Sequence, residues 1–141
     1  MKQKEDEKSE ERYERTGHFA RDFKQLEVWK KAVLLAEKIY KIAKEFPQHE
    51  QFGLRSQIER ASVSISSNLA EGQGYAGIFS NQLLHFYAIA NGSAYEVRAQ
   101  VEIIYRVGYV NLETYQQLEK DICEIIKMLI ALIKKVKREC A

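Results

Sequence analysis

The chain has 141 residues, 45% of them hydrophobic and 30% charged, which suits one globular domain and excludes collagen-like and largely disordered proteins. Lysine and arginine number 22 against 20 aspartate and glutamate, so the net charge of +2 favours no class of partner. Two cysteines are too few to staple a small domain, and residues 1–15 lack the apolar core of a secretory signal. We therefore expect a cytoplasmic protein in a reducing compartment.

The first segment, residues 1–22, carries charges of both signs and almost no apolar residue before Phe19. Such a segment buries too little apolar surface to offset the entropy of ordering, which predicts a mobile charged tail. An arm that binds nucleic acid would carry mostly one sign of charge. The folded domain is predicted to be residues 23–138.

Four helices are predicted from apolar residues that recur with the helical period. They cover residues 23–46, 50–71, 80–107 and 112–138. Pro47 is expected to end the first helix, Ser80 to cap the third, and Gly108 to terminate it. No segment alternates with the period of a strand, and the connections are short. The predicted fold class is all-α, an antiparallel up-down-up-down four-helix bundle.

The segment from Ala61 to Tyr95 is unusually poor in charge, with Glu71 as the single formal charge among its 35 residues. Scattered glutamine, asparagine and histidine residues exclude a membrane span. A small-residue helix of this kind needs cover on most sides, which a second subunit can provide. Ala88, Gly92 and Ala94 are therefore predicted to lie in an interface between subunits.

Charged residues within and beside this segment are expected to pair across helices, because an unpaired buried charge is strongly unfavourable. The candidates are Arg55, Glu59, Arg60, Glu71, Glu96 and Arg98. Among them, Arg60, Glu71 and Glu96 are predicted to form structural ion pairs.

Two features of the sequence invite comparison with a dinucleotide-binding loop and a metal site, but neither predicts such a site here. Gly72, Gly74 and Gly77 spell G-x-G-x-x-G, but the dinucleotide-binding loop follows a strand, whereas this one follows a predicted helix. These glycines are expected to end one helix and lead into the next. The cysteines and histidines show no metal-ligand spacing, and Cys123 is expected at the core or its boundary. We predict no catalytic residues, cofactor, metal or small-molecule substrate.

The last helix carries a stripe of positive charge. Lys120, Lys127 and Lys134 repeat every seven residues, and Arg138 falls within roughly 40° of them on the helical wheel. Such a row can follow a phosphate backbone. It can equally be a solvated face whose cations are favourable at a helix C-terminus.

Several motifs together resemble a known family. These are Leu26 with Trp29, Phe46-Pro47, the L-R-S-Q-I-x-R-A block at 54–61, the S-I-S-S-N-L-A-E-G run at 64–72, and Gly92-Ser93 followed by Glu96. From about Phe23 to Lys137 the chain resembles the four-helix-bundle proteins encoded in intervening sequences of bacterial 23S ribosomal RNA genes.

The resemblance implies a small cytosolic bundle that self-associates, in known relatives as a homopentamer, without an established enzymatic activity. A distantly similar bundle is a nucleic-acid-binding accessory of a reverse transcriptase, which suggests RNA binding by analogy. Two hypotheses follow for this chain. It is a non-catalytic homo-oligomer that binds structured RNA or another nucleic acid through basic faces, or it is an assembly scaffold whose partner is a protein.

Overall fold

The computed structural model describes residues 22–140, which form four α-helices and two short 3-10 helices. The α-helices are α1 (Glu27–Ala43), α2 (Leu54–Gln73), α3 (Ser80–Arg106) and α4 (Leu112–Cys140), and the 3-10 helices are Phe23–Gln25 and Gln48–Glu50. No strand occurs in this part of the chain, which confirms the predicted all-α class. The predicted tail, apart from Asp22, lies outside the described residues. No described helix combines the length and apolar character that crossing a membrane requires.

The first helix is shorter than predicted at both ends. The carboxylate of Asp22 accepts a hydrogen bond from the backbone N–H of Lys24 at 2.9 Å, which closes a separate 3-10 turn. Leu26 is extended (φ −67°, ψ 122°), so it interrupts the helical backbone before α1 begins. The last helical residue is Ala43, and turns with i→i+3 hydrogen bonds follow before Pro47.

The second helix begins four residues later than predicted because Gly53 has a non-helical backbone (φ −111°, ψ −117°). It continues two residues past the predicted end, through Gln73. The turn to α3 then passes through Gly77, whose φ of +74° favours glycine.

Of the two predictions for the ends of α3, one is wrong and one is confirmed. Ser80 is the first helical residue and not the cap, since Phe79 precedes the helix and makes no side-chain capping bond. Gly108 terminates α3 as predicted, with φ +85°. The N–H groups of Gly108 and Tyr109 bond to carbonyl oxygens of the last turn at 3.0 and 2.9 Å, which is a Schellman motif.

Neighbouring helices run in opposite directions. Ser64 of α2 contacts Ser93 of α3, while Gln73, further along α2, contacts Tyr87, which is earlier in α3. The same reversed order links Arg98 with Glu119 and Glu102 with Tyr115 between α3 and α4, and Lys31 with Glu124 and Lys38 with Asp121 between α1 and α4. Each helix packs against its sequence neighbours, and α4 also packs against α1. The helices therefore enclose one core.

The core is built from the apolar stripes of all four helices. Its largest fully buried side chains are Leu35, Ile39, Ile58, Ile65, Leu69, Leu83, Tyr87, Ile104, Leu118, Ile122, Ile125 and Leu129. Fully burying one such aliphatic side chain contributes about 1.5–3 kcal/mol, so this core is the main stabilising element.

The small residues of the charge-poor segment mainly allow α2 and α3 to approach closely within one chain. A Cβ atom built on Gly72 would lie 2.8 Å from two ring carbons of Tyr87. The hydroxyls of Ser64 and Ser93 hydrogen-bond across the same seam at 2.8 Å. Ala94 is fully buried in the core, so its predicted place in a subunit interface is wrong. The small side chain of Ala94 packs inside the bundle.

Candidate nucleic-acid interface

The candidate surface lies on α4, which is fixed to the bundle along its opposite side. Asn111 caps the helix, because its Oδ1 accepts a hydrogen bond from the backbone N–H of Thr114 at 2.8 Å. One side of the helix then buries Leu118, Ile122, Ile125 and Leu129. The outward face of a rigid, well-anchored helix is therefore left to solvent.

The outward face of α4 carries the predicted basic residues. We call Lys120, Lys127, Lys134 and Arg138 the basic stripe, and all four are exposed. Seven residues of helix rise about 10 Å, so the lysines follow one another along the helix at that interval. Within residues 22–140, none of the four has a carboxylate within ion-pair distance. The stripe is thus a row of positive charges without ion-pair partners, of which Lys120 also acts through its charge on the nearby Glu124 carboxyl.

Acidic residues on the α1 side of the stripe are neutralised. Lys31 Nζ donates to Glu124 Oε1 at 2.6 Å, and Lys38 Nζ donates to Asp121 Oδ2 at 2.7 Å. The hydrogen bond from Lys31 lowers the pKa of the Glu124 carboxyl, and the same bond raises the pKa of Lys31. These carboxylates are turned towards α1 and leave the basic stripe positive.

The α3 side of the stripe is organised in the same way. Arg98 Nη2 lies 2.7 Å from Glu119 Oε1, and this hydrogen bond raises the pKa of the arginine. Cys123 lies next to this pair and is partly buried, in agreement with the predicted boundary position. Burial, followed by the charge of Glu119, raises the pKa of the Cys123 thiol, so it stays protonated at neutral pH.

A polar cluster at the start of α4 was missed by sequence reasoning. The Tyr115 hydroxyl donates to a carboxylate oxygen of Glu102, which also binds Arg106. The bond from Tyr115 lowers the pKa of Glu102 and raises the pKa of the tyrosine. Tyr105 stacks on Tyr115 with ring centroids 4.4 Å apart. The helical period places Tyr115 on the apolar face of α4, and its ring does pack against the core, while its hydroxyl also bonds α4 to α3.

The predicted structural ion pairs are not formed. Glu71 is exposed, while Arg60 and Glu96 line a recess of about 370 Å³ between α2 and α3. In the part of the chain that the structure describes, none of the three has an oppositely charged partner within 4 Å. Among the other candidates, Arg55 pairs with Glu59 on the same helix, and Arg98 crosses to α4. The prediction is wrong because these three charges lie at the surface, where water solvates them.

The two remaining predicted interface residues are accessible. Ala88 and Gly92 lie on the outer face of α3, and a Cβ built on Gly92 meets no atom of the described residues within 4 Å. Three larger apolar side chains share this face, with Ile89, Tyr95 and Ile103 exposed by 38%, 48% and 47%. The outer face of α3 therefore exposes apolar side chains between Ala88 and Tyr95 and at Ile103, while His85, Glu96 and Arg106 are exposed on the same side.

The remaining motifs are not assembled into a chemical site. Gly72 lies inside α2, Gly74 ends it, and Gly77 lies in the turn to α3, so a helix precedes the motif as predicted. Over residues 22–140, no three histidine, cysteine, aspartate or glutamate side chains approach one another closely enough to hold a metal ion.

Comparison with known proteins agrees with the bundle. A family model described as 23S rRNA-intervening sequence protein matches residues 24–131. Among solved structures, the chain is similar to a protein of unknown function from the S23 ribosomal protein family of Bacteroides thetaiotaomicron. The two are 28% identical with a TM-score of 0.69, covering 76% of this chain and 95% of the other. No curated protein matches the chain. Because the family match covers most of the chain, including α1 to α3 and the greater part of α4, the chain belongs to the 23S rRNA-intervening sequence protein family.

Proposed function

We propose that the protein is a non-catalytic homo-oligomer that binds structured RNA through the basic stripe of α4. The observation that carries this proposal is the row of four exposed cations without ion-pair partners, beside which Asp121 and Glu124 pair with α1 and Glu119 pairs with α3. A phosphate backbone is the polyanion that such a row fits best. The name of the matched family makes a fragment of 23S rRNA the first probe to try.

Self-association strengthens this surface. One stripe supplies four cations, which gives weak, salt-sensitive binding on its own. Copies arranged around an assembly act on the same RNA with a high effective concentration, so their contributions reinforce one another. The exposed apolar side chains on the outer face of α3 are the feature of the chain that supports assembly.

Removing the stripe is the direct test of RNA binding. We expect Lys120→Gln, Lys127→Gln and Lys134→Gln together to leave the fold intact, because all three side chains are exposed. The affinity for the rRNA fragment should fall strongly. The slope of log K against log salt should decrease by about two to three per bound subunit, since each lost phosphate contact removes roughly 0.7–0.9.

The matched control removes the same charge elsewhere. Lys24, Lys41 and Lys44 are exposed, lie outside α4 and have no ion-pair partner among the described residues, and their replacement by glutamine should leave the salt slope unchanged. Equal losses in the two triple variants would mean that net charge, and not the stripe, determines binding. Unchanged affinity in the α4 variant would make the stripe a solvated face only.

A second candidate, an assembly scaffold for a protein partner, is favoured by a different observation. Phe52, in the turn between α1 and α2, is 91% exposed, which is unusual for a large apolar side chain. The same titration separates the candidates. A scaffold that does not bind nucleic acid gives no RNA binding that weakens as salt rises.

A further inference from the structure

The recess between α2 and α3 holds two opposite charges that do not pair with each other. It has a volume of about 370 Å³ and is lined by Arg60 of α2, Glu96 of α3 and Phe52 from the turn before α2. Among residues 22–140, neither Arg60 nor Glu96 has an oppositely charged group within 4 Å. Pockets of about 300–1,000 Å³ are those that bind small molecules. The recess therefore has the size of a ligand site and two charges that the fold does not use.

The antiparallel packing of α2 and α3 places these two charges opposite each other across the seam. The hydroxyls of Ser64 and Ser93 hydrogen-bond across this seam at 2.8 Å. Arg60 is four residues before Ser64 and Glu96 is three residues after Ser93, so both lie about one helical turn from that contact in the same direction. A small group seated between the two side chains would therefore meet both charges.

The α3 wall of the recess offers hydrogen-bond acceptors. Gln100, one turn beyond Glu96, donates from Nε2 to Glu96 Oε1 at 3.4 Å. Its Oε1 atom is buried and has no hydrogen-bond partner in the described part of the chain, which is unusual for a buried polar atom. A small rotation of the Gln100 amide would bring this oxygen to a donor bound at Glu96. An ammonium group, with three donors and a positive charge, fits this wall.

The α2 wall has the opposite character. Arg60 carries a permanent positive charge and a fork of N–H donors that matches a carboxylate. Ser56 and Gln57 line the same wall with neutral polar groups. Phe52, which is 91% exposed, lies at the end of the recess nearest the start of α2 and offers an aromatic surface to an apolar group. A fitting ligand combines a carboxylate, an ammonium group and an apolar side chain.

We propose that this recess binds a free α-amino acid with a large apolar side chain. The carboxylate of the ligand pairs with Arg60, its ammonium group pairs with Glu96, and its side chain packs on Phe52. Within a peptide the amino and carboxyl groups of one residue are joined in amide bonds, so the free amino acid is the form that presents both charges on one carbon atom. The site is separate from the basic stripe, and this binding requires neither RNA nor self-association.

Titration calorimetry on the unmodified protein tests the proposal, with L-phenylalanine and L-leucine as probes. Two further ligands each remove one charge from L-phenylalanine: phenethylamine lacks the carboxylate, and hydrocinnamate lacks the ammonium group. We expect each of these to bind at least about tenfold more weakly than L-phenylalanine, because a hydrogen bond between charged groups contributes that factor or more. This comparison needs no variant of the protein.

Variants assign each ligand charge to its partner. Arg60→Gln should weaken L-phenylalanine binding about tenfold or more and leave phenethylamine binding unchanged. Glu96→Gln should weaken L-phenylalanine binding similarly and leave hydrocinnamate binding unchanged. Both positions are exposed, so circular dichroism should show an intact fold. As matched controls, Lys44→Gln and Glu71→Gln remove exposed charges outside the recess and should not change binding.

Three outcomes would overturn the proposal. If neither L-phenylalanine nor L-leucine binds, the recess is not an amino-acid site. If phenethylamine or hydrocinnamate binds as tightly as L-phenylalanine, the site does not recognise a zwitterion. If L-phenylalanine binds equally to the unmodified protein, Arg60→Gln and Glu96→Gln, it binds elsewhere on the molecule.

Discussion

Two glycines show how the same residue type takes different roles at residue scale. Gly72 and Gly92 both lie inside long helices, where glycine is unfavourable. The missing side chain of Gly72 makes room for the ring of Tyr87. A Cβ atom on Gly92 would have no atom of residues 22–140 within 4 Å. The first glycine therefore serves the fold, whereas the second lies on the open outer face of α3.

The role of Gly72 gives a stability prediction. Gly72→Ala would place Cβ 2.8 Å from two carbons of Tyr87, so α2 and α3 must move apart. We expect the free energy of unfolding to fall by about 1–3 kcal/mol, as measured by urea denaturation. Ser67→Ala, at an exposed position on the same helix, should change it by less than about 0.5 kcal/mol. Equal stability of the two variants would contradict the close approach.

Residue positions on a helix could be predicted better than residue partners. Ala88 and Ala94 are six residues apart, which places them about 120° apart around the helix, so one face could not hold both. With Ala88 on the outer face, the helical period places Ala94 towards the core. The absence of ion pairs at Arg60 and Glu96 could not be predicted, because it depends on distances between helices that the sequence pattern does not give.

At the scale of elements, α4 is held by charged contacts at both flanks and by apolar contacts beneath. Its hydrophobic face and the basic stripe were both predicted, because the helical period separates them clearly. The contacts from Lys31 and Arg98 could not be predicted, since they depend on the register of three helices. The starts of α1 and α2 were also predicted inaccurately, because Leu26 and Gly53 interrupt the helical backbone while the apolar pattern continues.

The pair between α1 and α4 predicts a pH dependence. The Glu124 pKa is lowered in the folded protein, so its contribution to stability is present above the ordinary glutamate pKa of about 4.3. It is lost as the pH falls through the lowered pKa. The raised pKa of Lys31 keeps the pair charged up to and beyond pH 10.5. Between these limits Glu124→Gln should lower the melting temperature slightly, and the difference from the unmodified protein should vanish in acid.

Glu113→Gln is the matched control for this pair. Glu113 is exposed on the same helix and has no cationic partner within residues 22–140. Its replacement should shift the melting temperature little at any pH. A difference between Glu124→Gln and the unmodified protein that persisted unchanged at low pH would show that the effect is not electrostatic.

At the scale of the whole molecule, the bundle places its basic stripe and its exposed apolar side chains on different helices. The stripe lies on α4, and Ile89, Tyr95 and Ile103 lie on α3, so the proposed assembly through α3 would leave the stripe accessible. The four-helix architecture was predictable because periodicity, short connections and the absence of strand patterns agree. The recess lined by Tyr40, Phe52 and Val63 was not predictable, because these residues are distant in sequence and meet only when α1 and α2 pack.

Light scattering on the unmodified protein tests the central claim, that this chain is one subunit of an assembly that repeats the basic stripe. At micromolar concentration we predict a mass several times the 16.4 kDa of one chain, and we predict that moderate salt preserves it, because the proposed contact is mainly apolar. A mass near 16.4 kDa under the same conditions would contradict the account.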